Sequence, residues 1–120
     1  MAEQQVSLTF HRREDGSLCA DCPPEAGERC MRLAGFFESD VQTSLRYIAI
    51  LLDTLREVEQ GRRLRWEGTG NAFTITMTQS EITIEHAIFP DDPVHHYSHA
   101  ELRGALLDAA RAIGGDTRPD

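Results

Sequence analysis

Cys19 and Cys22 stand at C-x-x-C spacing, and Cys30 follows after a proline-rich stretch. A tight turn between the first two would aim both sulfurs at one point, which is how paired thiolates grip a tetrahedral zinc ion. A structural zinc takes four ligands and the chain holds three cysteines, so His11, across a proposed hairpin, is the nearest fourth donor. The same spacing serves as a redox couple where a strand enters the pair and a helix leaves it. Pro23-Pro24 directly after Cys22 bar that helix. The plainer reading is three reduced thiols in an irregular loop spanning 19–32.

A second group of metal-capable side chains is His95, His96 and His99, with His86 upstream and Asp91-Asp92 between. His95 and His96 precede the expected helix cap, so His95 and His99 do not share a helical face. The His-Glu-x-x-His arrangement of a zinc hydrolase is missing. A polar loop before a helix accounts for these residues, and an enzyme built on them would need a deep pocket where they converge. No G-x-S-x-G elbow or phosphate-cradling glycine loop is present, and Gly68-x-Gly70 joins two strands with no helix start to receive a phosphate. The reading is of a chain that is not an enzyme.

The elements that must position these residues are legible in the periodicity. Val6, Leu8 and Phe10 alternate with polar residues and read as a strand, Asp15-Gly16 as a turn, and Ser17 to Ala20 as its hairpin partner. Ser39 and Gln42 have capping-box spacing, and Val41, Leu45, Ile48, Leu52 and Leu55 recur at helical spacing, which predicts one helix from Ser39 to Gln60 with Gly61 as its left-handed terminator. Leu64–Trp66, Phe73–Met77 and Ile82–Ile88 alternate as three strands. The links between them are too short for crossover helices, so the three form an antiparallel meander. Ser98 and Glu101 form a second capping box, Tyr97 and Leu102 a hydrophobic staple, and a closing helix runs to Gly114-Gly115, leaving 116–120 as a frayed tail. The expected fold is a single α+β domain over 1–120. It has an antiparallel sheet of four or five strands packed against two helices, in the order β-β-α-β-β-β-α. Phe36, Phe37 and Trp66 are expected in the core, with interface anchoring as the alternative role.

The composition, 40% hydrophobic and 27% charged, is that of a globular chain. A formal charge of -8 repels phosphate backbones, so no nucleic-acid partner is expected, while a basic protein partner suits it. No apolar run reaches membrane-spanning length, and Met1-Ala2-Glu3-Gln4-Gln5 lacks the basic and apolar regions of a secretory leader. The expectation is a cytoplasmic protein without membrane partners. Acidic residues dominate the C-terminal half, through Glu81, Glu85, Asp91, Asp92, Glu101 and Asp108.

The stretch Trp66-Glu67-Gly68-Thr69-Gly70-Asn71-Ala72-Phe73-Thr74-Ile75, then Ile82-Thr83-Ile84-Glu85, then Tyr97-Ser98 opening a helix, resembles small bacterial immunity proteins of contact-dependent or type VI polymorphic toxin systems. Their similar pattern is a long helix, a strand with W-x-G-N, a strand ending I-x-I-E, and a closing helix. Here Thr69-Gly70 separates Gly68 from Asn71, and the resemblance covers residues 39 to 113, leaving the cysteine segment outside it. It implies tight, non-enzymatic binding of a cognate toxin domain. Because many such toxins are basic nucleases, the implied docking residues are carboxylates: Glu85, Asp91 and Asp92, chosen by position. The alternative is a small zinc-binding accessory protein using Cys19, Cys22, Cys30 and His11. On the first reading no cofactor is implied, and on the second the cofactor is zinc.

Overall fold

In a computed structural model the described residues are 6–89 and 91–114. The chain opens with a hairpin of β1 (Thr9–Arg12) and β2 (Leu18–Asp21), paired antiparallel with Thr9 opposite Asp21 and His11 opposite Cys19. Gly16, at φ +90, supplies the left-handed residue that its tight turn needs. The hairpin is therefore where alternation put it, although pairing starts at Thr9 rather than at Val6.

The expected irregular loop over 19–32 is corrected on both sides. Cys19 lies inside β2, and a helix absent from the sequence reading, α1 (Glu28–Phe36), starts within the segment and carries Cys30. Cys30, Leu33, Ala34 and Phe36 are its buried face, Gly27 is its extended N-cap, and Glu28 sits in its first turn, where acidic charge suits the helix dipole. Pro23-Pro24 bend only the short link before it.

The single helix expected from Ser39 is also corrected. α1 runs on into a π-helical turn (Phe37–Val41), the path breaks at Gln42 (φ 54), and a new helix, α2 (Leu45–Glu59), starts behind Ser44. Ser44 accepts from the Tyr47 amide at 3.0 Å and is the true cap. Gln42 instead donates its side-chain amide to the Ser39 carbonyl at 2.7 Å, so the Ser39/Gln42 pair ends a helix rather than beginning one. The extra residue per turn in the π segment brings Phe37 and Val41 inward together, both almost fully buried. Gly61 closes α2 as expected. Its φ of 76 lets Arg62 and Gly61 donate to the Glu57 and Val58 carbonyls, satisfying the last orphan acceptors.

The main sheet is β3 (Arg65–Thr69), β4 (Phe73–Thr78), β5 (Ile82–His86) and β6 (His95–Tyr97), in that spatial order and antiparallel throughout. β6 is a strand where a polar loop was expected, with Tyr97 opposite Ile82 and His95 opposite Ile84. The β1–β2 pair is a sheet of its own, so the molecule has two sheets and three helices, the last being α3 (His99–Gly114). The α+β class and the four-stranded antiparallel sheet packed on helices hold. The order becomes β-β-α-α-β-β-β-β-α.

Ile75, Met77, Ile82 and Ile84 point to one face of the sheet and are buried against Leu33, Phe36, Leu51, Leu55 and Leu102. The other face is polar, with Thr76 opposite Thr83 and Thr74 opposite Glu85. α3 begins as its sequence predicts. Ser98 Oγ accepts from the Glu101 amide and Glu101 Oε1 from the Ser98 amide, both at 3.0 Å, while Tyr97 and Leu102 are buried.

Candidate functional site

Residues 87–94 connect β5 to β6, and among the described ones the large apolar side chains are left uncovered. Ile88, Phe89 and Val94 face solvent, with Ile88 68% and Phe89 60% exposed. Polar contacts tie the segment to its neighbours: partly exposed Asp92 Oδ2 meets His86 Nε2 at 3.1 Å, and the Asp92 amide donates to the Phe89 carbonyl at 3.1 Å. Arg32 from α1 donates to the Pro93 carbonyl at 3.2 Å and lies over the Phe73 ring. The His86 ring is 4.8 Å from the Phe73 ring and 5.6 Å from that of Phe89. Exposed Met31 from α1 joins Glu28, Arg32, His86, Asp92 and His95 around a shallow hollow of about 420 Å³. Burial and the Arg32 charge hold the His95 imidazole below its ordinary pKa, so it lines the hollow as a neutral ring.

The three expected docking carboxylates divide at this face. Asp91 is exposed at the turn, and Asp92 is partly exposed but engaged with His86. Glu85 lies on the polar face of β5 opposite Thr74, whereas Ile82 and Ile84 point to the core. The apolar members of the patch escaped sequence reasoning. Ile88 fitted the alternation of Ile82, Ile84 and His86 and was read as strand core, but pairing stops at His86. The signal available was Phe89 next to the Pro90-Asp91-Asp92-Pro93 breaker, an aromatic that no element could bury.

The thiols divide as well. Cys30 donates to the Ser7 carbonyl at 3.4 Å, and Cys22 lies beside it. Burial, reinforced by Cys30, pushes the Cys22 thiol up to about 12, so it is a structural thiol rather than a reactive one. Cys19 and His11 meet on the open face of the hairpin, and the residue that joins them is Asp21. Of the expected set of four donors the structure brings together two and seats the other two elsewhere. The remaining histidines are occupied: His96 Nδ1 lies 2.9 Å from Glu81 Oε1, and His99 Nε2 lies 2.8 Å from the Thr78 carbonyl. Phe36 and Phe37 are core, and Trp66 is half-buried.

A polar network ties α1, β6 and α3 together. Arg29 donates through both terminal nitrogens to Glu101, at 3.1 and 2.6 Å, and lies over the Tyr97 ring, while the Tyr97 hydroxyl donates to the Arg29 carbonyl at 2.6 Å. Burial opposes ionisation of Glu101, but the Arg29 fork and the Ser98 amide outweigh it and hold its pKa below the ordinary value. Arg29 and Glu101 line a cleft of about 520 Å³ whose other titratable member is Asp108, so its charges are mostly committed to one another.

The W-x-G…N stretch has a structural explanation. Asp40 accepts from the Ala72 and Phe73 amides at 2.9 and 3.0 Å, and Asn71 donates to the Ser39 carbonyl at 2.8 Å. A Cβ on Gly70 would stand 2.7 Å from Asp40, and one on Gly68 would strike the Trp66 ring. These residues lock the β3–β4 turn to the π segment. Among the described residues no helix is long and apolar enough to cross a membrane. No protein-family model, curated protein or solved structure matches the chain.

Proposed function

We propose that the chain is a non-enzymatic binding protein that docks a basic protein through residues 87–94 and the adjoining part of α1, in the manner of an immunity protein that blocks a toxin domain. The observation that supports this reading most is the exposed apolar cluster of Ile88, Phe89 and Val94. Ile88 and Phe89 stand in solvent beside Asp91, while the segment's own hydrogen bonds hold it in shape from within. Desolvating such side chains costs an isolated chain nothing and yields binding energy against a partner, and a pre-held backbone lowers the entropy lost on docking. Acidic groups at the rim, Glu28, Asp91 and Asp92, and a net charge of -8 favour a basic partner and repel nucleic acid. The cytoplasm is the compartment in which such an inhibitor works, and no cofactor is required.

The test is protection and affinity together. The chain is co-expressed with any basic protein domain encoded beside it and their association is measured. Growth rescue with nanomolar binding that slows as salt rises is the expected result. Replacing Ile88 and Phe89 with serine should weaken binding by at least about 30-fold, the scale of a 2 kcal/mol hot spot. Rescue that survives the double substitution would move the docking face elsewhere, and absence of any basic partner would remove the reading.

A further inference from the structure

The open face of the β1–β2 hairpin carries a donor set that docking does not use. Antiparallel register places His11 directly opposite Cys19, and the two-residue period of β2 puts Asp21 on the same side as Cys19. Leu18 and Ala20 take the other side, into the core. The Cys19 thiol donates to Asp21 Oδ1 at 3.4 Å, and His11 Nδ1 lies 3.5 Å from Asp21 Oδ2. One ligating atom from each residue falls within 4.8 Å of the other two, and this is the one such group of three among the described residues.

The order of these contacts argues against nucleophilic catalysis. In a Cys–His–Asp triad the imidazole stands between thiol and carboxylate and takes the thiol proton. Here the carboxylate stands in the middle, which favours the protonated thiol. For a metal ion the same order is favourable. Tetrahedral bonds of about 2.3 Å to sulfur and about 2.0–2.1 Å to nitrogen and oxygen set ligand–ligand distances of about 3.4–3.6 Å. Cys19 and His11 approach Asp21 through different carboxylate oxygens, and one atom from each residue already lies within 4.8 Å of the other two. Imidazole and carboxylate are both exposed enough to close that triangle by rotation. The nearby cation Arg13 is offset by Glu38, 3.4 Å from it, and Glu38 also caps the Ala20 amide at 2.7 Å.

We propose that His11, Cys19 and Asp21 bind one divalent transition-metal ion of the zinc class, with the fourth position left to water. Sulfur, nitrogen and oxygen donors together select zinc or cobalt over magnesium or calcium. Three protein ligands and one open position are the make-up of a reactive rather than a closed structural site. The ligand set differs from the cysteine-rich one expected from C-x-x-C spacing, since the donors that converge are His11, Cys19 and Asp21. It rests on residues other than those of the docking face.

Chelator-stripped full-length chain titrated with Co²⁺ decides it. About one equivalent should bind with a thiolate-to-cobalt charge-transfer band. Asp21→Asn and Cys19→Ser should each weaken binding at least tenfold, since even outer partners of a ligand act on about that scale. Cys22→Ser should leave band and affinity unchanged. Far-UV circular dichroism checks each variant's fold, and because Asp21 is exposed, Asp21→Asn decides alone should Cys19→Ser misfold. No band, a band indifferent to Asp21→Asn, or a band abolished by Cys22→Ser would each overturn the proposal.

Discussion

The β1–β2 hairpin and the 87–94 segment are both short, yet one covers its apolar side chains and the other leaves them in solvent. The hairpin follows the usual rule: Leu18 and Ala20 are buried, Phe10 packs edge-on to Phe37 at 4.9 Å, and His11 and Asp21 face water on either side of partly covered Cys19. The 87–94 segment departs from it: Asp92 and the Pro93 carbonyl tie it to His86 and Arg32, while Ile88, Phe89 and Val94 stay in solvent. A hairpin stabilised by its apolar face leaves donors free for small ligands. A loop stabilised by its polar groups leaves apolar surface free for a large partner.

That contrast is broken most forcefully through stability. Leu18→Ala empties a filled site beneath the hairpin and should cost about 2–5 kcal/mol in urea unfolding. Ile88→Ser, of comparable apolar loss in the exposed loop, should stay within about 0.5 kcal/mol of the parent. Similar losses at both positions would erase the distinction.

Next in size is the clamp between α1 and α3. Arg29→Ala leaves Glu101 half-buried without its fork and should destabilise by about 3 kcal/mol. The acid limb follows from the same pair. Because the folded Glu101 carboxyl lies below its unfolded value near 4.5, its contribution is fully present above that pH and is lost as pH falls through the folded pKa. Glu101→Gln should therefore flatten the loss of stability below about pH 4.5, measured by denaturant midpoints across that range. An unchanged acid limb would show that other carboxylates set it.

The smallest effect sharpens the loop itself. Asp92→Asn weakens the tie to His86 and should change global stability by less than about 1 kcal/mol, since the pair is partly exposed. It should nevertheless speed amide exchange across 87–94 while leaving β4 and α3 protected.

The sequence made legible what local chemistry decides. Ser98/Glu101, Gly61 and the alternations of β4 and β5 each satisfy their own backbone or face within a few residues, so pattern and structure agree. It misled where distant groups decide. The break at Gln42 depends on Asp40 reaching across to Ala72 and Phe73, and the start of α1 depends on Cys30 and Leu33 finding a core behind Pro23-Pro24. β6 is three residues long and exists because β5 offers it an edge. The candidate sites divide in the same way. Cys19 and His11 were readable from hairpin logic, but Asp21 enters through strand period, and Phe89 is exposed because β5 ends two residues before Ile88.

The proposed role of residues 87–94 is tested most directly by calorimetric affinity for a basic protein domain encoded beside the chain, parent against the Ile88→Ser/Phe89→Ser pair. Nanomolar binding by the parent and a loss of at least about 30-fold in the variant is the expected result. Equal affinity of the two proteins, with the variant's stability intact, would contradict it.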